Sequence, residues 1–358
     1  MKKVIKQVVG IDVAQKELVV TFGKLAEDLA INLIAHHVFK NTEKGFDQLI
    51  LWAKKLEDEA TELRFVMEST GIYHEKFAYY MEEKGYNISI VLPNKISSYM
   101  RSLDLKTVTD KTASQAITQF GLERKLENWA RPKPILKRIK QLTRERDQLV
   151  DERSAVKNQI HAEKTEAEPV ESSLKRMQQR IKMLNKQELE IKAEINLLIA
   201  KDQELKNDIE RAQTIPGIGA LTAAIVYAET NGFELIRNKR QLTSFAGLDV
   251  KEKQSGTSVN GKPRISKRGN KHLRKAMHLP ALAAVRHDER YRCLFARLVA
   301  KHGIKMKAIT AVQRKLLELI FILHKNKTIY SALNQEGNDF KVKEDNPKIE
   351  LPSNEAAL

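Results

Sequence analysis

The chain has 358 residues, 63 Lys and Arg against 46 Asp and Glu, a formal net charge of +17 and a pI near 9.6. That length exceeds what one core normally fills, so two or three domains are expected, and the charge points to a polyanionic partner. One cysteine, Cys293, and scattered histidines exclude a disulfide framework and a zinc site, and with no apolar run near ~18 residues and no signal-like start the chain reads as cytoplasmic, away from membranes.

Residues 1 to about 125 alternate strand and helix signals. Segments 8–13, 18–22 and 35–39 read as strands and 43–56 as an amphipathic helix, then 63–67 as a strand, 73–84 as helical, 88–92 as a strand and 94–103 as helical. Three strands followed by alternating helices and strands is the order of a ribonuclease-H-like domain. Asp12 lies in the first strand run, Glu68 closes the fourth, and Asp110 follows in Thr107-Val108-Thr109-Asp110-Lys111 on a later helix. In that architecture the first strand is central, beside the fourth, and the later helix crosses the same edge. The three acids are therefore expected to converge. Mg²⁺ takes hard oxygen ligands and shares them with substrate phosphates, so a converging set suggests a magnesium site for nucleic acid. Any one acid alone reads more readily as a cap or a solvated side chain.

After Pro132 and Pro134 the composition changes, and 135–165 and 172–212 read as two long helices. In the second, Leu174, Met177, Ile181, Leu184, Ile191, Ile195, Leu198, Leu205 and Ile209 keep alternating three- and four-residue steps, broken by Glu188 and Asp202. The first carries Ile139, Leu142, Leu149, Val156 and Ile160 on a weaker heptad that Arg146 and Arg153 interrupt. With a reversal near Pro169 this predicts a long antiparallel coiled-coil arm, on the order of 50 Å at ~1.5 Å per residue. Its seam is expected to mediate dimerisation, the alternative being a hairpin packed only on itself.

Ile215-Pro216-Gly217-Ile218-Gly219 before an Ala-rich helix reads as a helix-hairpin-helix turn whose amides approach phosphate, with tight packing at Gly219 as the plainer reading. A Ser/Gly-rich stretch at 254–261 reads as a flexible, hydroxyl-rich loop. Lys262, Arg264, Lys267, Arg268, Lys271, Arg274 and Lys275 follow within fourteen residues and are expected to bind phosphate. Residues 271–325 read as helical and 331–358 as a disordered tail. The resulting division is 1–130, an α/β domain; 131–212, the arm; 213–330, a mostly helical C-terminal domain; and the tail.

Taken jointly and in order, several of these pieces resemble the transposases of insertion-sequence family 110, relatives of Piv-type DNA invertases. They are Val9-Gly10-Ile11-Asp12-Val13-Ala14-Gln15-Lys16, Met67-Glu68-Ser69-Thr70-Gly71-Ile72-Tyr73 and Thr109-Asp110-Lys111 in the first domain. Ile215-Pro216-Gly217-Ile218-Gly219, Phe245-Ala246-Gly247-Leu248, Gln254-Ser255-Gly256 and Ile265-Ser266-Lys267-Arg268-Gly269-Asn270 follow in the last. The resemblance covers residues 1 to about 330. It implies a RuvC-like domain with an Asp-Glu-Asp-Asp set and a C-terminal transposase domain bearing a nucleophilic serine, which fall on Asp12, Glu68, Asp110 and Ser255. The fourth acid of the pattern falls on Ala113, so either three carboxylates and water suffice, or Asp104 substitutes, or the metal site is impaired. The resemblance further implies strand exchange on mobile-element ends and target DNA, a structured noncoding guide RNA, and a homo-oligomer, dimer or tetramer. A metal-dependent junction endonuclease and an inactive nucleic-acid-binding protein are the competing readings.

Overall fold

The computed structural model describes residues 3–69, 71–103, 107, 109–234, 236–255 and 259–330, without the side chains of 253–260, 262 and 263. The proposed tail at 331–358 and Asp104 lie outside the described residues. The chain divides into two compact units, Met1–Arg131 and Pro132–Leu358.

In the first unit β1 (Val4–Val13), β2 (Glu17–Ala26) and β3 (Ile31–Lys40) form an antiparallel meander. Helix α1 (Glu43–Lys54) returns the chain to β4 (Leu63–Glu68), parallel to β1, and α2 (Glu75–Glu83) leads to β5 (Asn87–Val91), parallel to β4. The sheet order is β3-β2-β1-β4-β5, with β1 central, as the ribonuclease-H-like reading requires. The strands run longer than the apolar runs suggested, because ladder pairing carries the meander past its hydrophobic centre. Residues alternate between faces along each strand. Val9, Ile11, Phe65 and Met67 pack against Phe46 and Leu49 of α1 and Phe77 and Met81 of α2. On the opposite face Val8 and Val66 pack with Ile96 of α3 (Pro93–Ser102) and Ile117 and Leu122 of α4 (Asp110–Glu123). Gln7 is buried on the α1 side, where it exchanges hydrogen bonds of 2.9 Å with the backbone of Asp58 in both directions.

The second unit is almost entirely helical. Helices α5 (Pro134–Thr165) and α6 (Glu171–Lys201) run antiparallel, as the Arg138–Glu194 and Arg153–Asn185 contacts show. The distal seam of Val156, Met177 and Leu184 is buried within this pair. Closer to the base, Ile139, Leu142, Ile191 and Ile195 join the core around α8 and α13. The second long helix is interrupted where one continuous run was expected. It stops at Lys201, and the Asp202 carboxylate accepts the amide of Leu205 at 3.0 Å to start α7 (Gln203–Gln213). A short acidic side chain that caps amides competes with helix continuation.

Beyond α7 come α8 (Ala220–Thr230), α9 (Lys239–Ala246), the strands β6 (Val250–Ser255) and β7 (Val259–Ile265), and helices α10 (Lys271–Ala276), α11 (His278–His287), α12 (Glu289–His302) and α13 (Lys305–Asn326). The Ser/Gly-rich stretch expected to be a flexible loop is, where described, an antiparallel hairpin that places Gln254 opposite Asn260 and Ser255 opposite Val259. Alternating polar and small residues hid the pairing from hydrophobic periodicity. No described helix is long and apolar enough to cross a membrane.

Candidate active site

The geometry at the acids follows from how α4 lies on β1. Lys6, Val8, Gly10 and Asp12 share the sheet face toward α4, and α4 runs along β1 in the opposite direction. At one end the Lys6 ammonium donates to the carbonyls of Gly121, Leu122 and Arg124 at 2.5, 3.2 and 2.6 Å, closing the C-terminal turn of α4. Next, Val8 meets Gly121. Gly10 sits so close to the helix that a Cβ there would fall 2.4 Å from the Thr118 amide nitrogen and 2.7 Å from the Ser114 carbonyl oxygen. Thr118 donates to the Thr21 carbonyl at 3.0 Å, and the Ser114 and Thr21 hydroxyls are 2.8 Å apart. At the far end lie Asp12 and the first residue of α4, Asp110, whose helix is opened by a Thr109–Thr112 capping box.

Glu68 reaches the same face from the next strand. Ile11 pairs with Met67, so Asp12 and Glu68 are the next residues along at the C-terminal ends of two parallel strands. Burial, the charge of Asp110 and the charge of Glu68 together push the Asp12 carboxyl up from its ordinary 3.8 to about 6. Two of the acids expected from sequence, Asp110 and Glu68, thus lie near enough to act on the third. Among the described residues no three carboxylate, imidazole or thiol groups are gathered tightly enough to hold an ion as they stand. The donor set nevertheless suits a hard divalent cation, because a cation there relieves the repulsion that raises Asp12. Ala113 lies one turn after Asp110 on the same helix face and brings no oxygen to it.

The serine and the basic run are carried by the second unit. Ser255 ends β6; its backbone is described and its side chain, like that of Lys262, is not. Arg264 pairs with Lys251 across the hairpin, and Arg264, Lys267, Arg268 and Lys271 are exposed. The loop that presents them is closely pinned. The Ser266 hydroxyl donates to Asp249 at 2.5 Å, and Gly269 packs so tightly on Gly247 that a Cβ would fall 2.5 Å from the Gly247 amide. The Asn270 amide donates to the Phe245 carbonyl at 2.7 Å. Two cations of the run are held elsewhere: Arg274 donates to the Ala246 carbonyl at 2.7 Å, and Lys275 to Asp151 of α5 at 2.9 Å. Gly217, at φ +86°, lies against the backbone of Pro280 and Ala284, whereas Gly219 has open space. The tight packing anticipated at that turn therefore belongs to Gly217.

The model described as the Transposase IS116/IS110/IS902 family matches residues 209–296, and the IS110 DEDD model, described as Transposase, matches residues 9–166. The chain belongs to the IS110 transposase family. This IS110-family protein is 27% identical over 333 residues to the pilin gene-inverting protein of Moraxella bovis, covering 92% of this chain and 99% of that one. It is also 27% identical over 296 residues to the transposase for insertion sequence element IS1111A of Coxiella burnetii, covering 74% and 78%. The RuvC structure of Thermus thermophilus overlaps 34% of this IS110-family chain and 99% of its own, at 13% identity and a TM-score of 0.27. Membership makes the chain a DNA-acting enzyme, a transposase or recombinase.

One residue of this IS110-family site escaped sequence reading. The Glu229 carboxylate of α8 is fully buried and accepts Arg144 of α5 at 2.8 and 3.0 Å and Asn270 at 2.7 Å. Burial raises its pKa, but those hydrogen bonds and the charge of Lys140 outweigh it and hold the carboxyl below the ordinary value. Asn270 also accepts the His272 and Leu273 amides to cap α10, so Glu229 fixes the far end of the basic loop. Its only sequence signal is an acid inside an otherwise apolar helix.

Proposed function

We propose that the protein exchanges DNA strands with Ser255 as nucleophile, the acids of the first unit and the basic loop of the second acting on the same phosphate. The observation that carries this reading is that Asp12 and Glu68 end adjacent parallel strands on the face where Asp110 opens α4, with both neighbours acting on the Asp12 carboxyl. Those three would hold a divalent cation, magnesium by ligand preference, which when bound supplies Lewis-acid charge to the scissile phosphate.

The Ser255 Oγ–P bond forms as the bond from phosphorus to a deoxyribose oxygen breaks, and the departing oxygen leaves as a hydroxyl with the proton the serine gave up. A serine hydroxyl needs such help, since it is a weak nucleophile by itself. Lys267 and Arg268 stabilise the charge that builds on the phosphoryl oxygens. Arg264, Lys271 and Lys262 hold flanking phosphates. Rejoining rather than cutting is favoured by the similarity along nearly the whole chain to a protein named for inverting a gene. Joining four strand ends calls for several serines and hence an oligomer, dimer or tetramer, joined through surfaces of the arm outside the seam that α5 and α6 already cover between them, and the family resemblance adds a structured noncoding guide RNA.

The test incubates the protein with element ends, target DNA and the transcript flanking the element, then sequences the products and traps covalent adducts. Ser255→Ala is expected to abolish adducts and recombinants while leaving DNA binding intact; adducts that persist would remove Ser255 from the mechanism. Asp12→Ala or Glu68→Ala is expected to abolish activity in a folded protein. Cut, unjoined products from the wild type would instead identify a junction nuclease.

A further inference from the structure

The arm of the second unit is electrostatically uneven. Toward its base each arginine finds a carboxylate: Arg138 meets Glu194 at 2.9 Å, Arg144 meets Glu229 at 2.8 Å, and Arg146 and Arg153 both reach Glu188. Farther along α6 the pattern stops. From Ser172 to Gln187 the sequence carries Lys175, Arg176, Arg180, Lys182 and Lys186 and no acid. All five are exposed, and Lys175, Arg176, Arg180 and Lys182 have no ion pair among the described residues. Lys186 has only a solvent-exposed partner, Glu190, at 3.9 Å.

Lys175, Arg176, Lys182 and Lys186 lie on the side of the helix away from α5, and Arg180 lies on its flank, where it lines a groove with Glu152, Ala155, Val156 and Gln159 of α5. Leu174, Met177 and Leu184 face α5, and at ~100° per residue Lys175, Lys182 and Lys186 form a row opposite that seam. On the adjoining side Arg176 and Arg180 line, with Gln179 and Met183, a shallow groove of about 400 Å³. From Lys175 to Lys186 the row extends ~16 Å at ~1.5 Å per residue, comparable to half a turn of a nucleic-acid duplex. Holding so many like charges together with only the surface carboxylates Glu152 and Glu190 beside them costs free energy that a polyanion recovers.

We propose that this outward face of α6 holds the sugar-phosphate backbone of duplex DNA without reading its sequence, as a contact separate from the basic loop at 264–271. The proposal rests on the DNA strand-exchange reading above for the identity of the polyanion. A duplex is indicated over a single strand because no Phe, Tyr or Trp occurs between Trp129 and Tyr227. Single-strand grooves combine cations with aromatic platforms for bases, whereas contacts to duplex phosphates need cations alone.

The test compares the full-length wild type with the variant Lys175→Gln, Arg176→Gln, Arg180→Gln, Lys182→Gln, since glutamine keeps helix propensity without charge. Binding to duplexes of unrelated sequence is measured over a range of salt. The variant is expected to lose affinity equally for every sequence, with the slope of log K against log salt reduced by about 2–4, given ~0.9 for each phosphate no longer neutralised. Arg138→Gln, whose charge Glu194 already neutralises, is expected to leave the slope unchanged, and circular dichroism confirms that both variants keep their helices. An unchanged slope in the quadruple variant, a loss confined to one sequence, or a loss on duplex RNA with DNA unaffected would each overturn the proposal. Ser255→Ala, run alongside, separates the two readings: absence of recombinants from a wild type whose slope depends on these four residues sinks strand exchange and leaves the arm contact standing.

Discussion

Gly10 shows how closely one residue can control the placement of the acids. It lets α4 approach β1 until backbone meets backbone, and the hydroxyls of Ser114, Thr118 and Thr21 then fix how the helix is seated. Gly10→Ala places a methyl group within 2.4 Å of the Thr118 amide nitrogen, which rotation of a side chain cannot relieve. The helix must move, and a loss of about 1–3 kcal/mol in denaturant unfolding is expected, as for other overpacked sites. Activity is expected to fall further than stability, because the same shift carries Asp110 away from Asp12; full activity in a destabilised Gly10→Ala protein would disprove that coupling. Nothing in the sequence pairs this glycine with Thr118, 108 positions later, because the contact is made only when α4 folds back on β1.

The long helices show the same at the scale of an element. Arg146, Arg153 and Glu188 each broke a heptad and read as flaws in the seam, yet α5 and α6 bring them together as a partly buried ion cluster completed by Lys192 at 2.9 Å. Burial pushes the Glu188 carboxyl up, and hydrogen bonds from Lys192 and Arg153 with the charge of Arg146 reverse this, taking it from 4.5 down to about 2. A carboxyl depressed in the folded state contributes stability at pH values above its ordinary range and loses that contribution as pH falls from about 4.5 through about 2. Glu188→Gln is therefore expected to cost on the order of 2 kcal/mol at pH 7 and to flatten the acid limb of the stability profile. Equal acid sensitivity of variant and wild type would show that the cluster contributes no net stability. Because such a cluster forms only when opposite charges are aligned, it also fixes the register of the pair, which the apolar positions alone leave open.

At the scale of the whole molecule, the first unit covers both faces of its sheet with its own helices, α1 and α2 on one side and α3 and α4 on the other. Residues 1–131 expressed alone are expected to melt cooperatively, with Asp12 still raised by its neighbours in a carbon-detected NMR titration; a molten fragment would show that the acids depend on the rest of the chain. The boundary was legible at Pro132 and Pro134, where composition changes, and so were the strand order and the two long helices. These depend on local pattern, since period, breakers and charge are written in consecutive residues. The hairpin carrying Ser255, the break at Asp202, the diversion of Arg274 and Lys275 into structural contacts, and the burial of Glu229 were decided only by the tertiary structure. Each depends on which distant group lies opposite, and a single side chain's chemistry reads the same in sequence whether it faces a phosphate, a carboxylate or a backbone carbonyl.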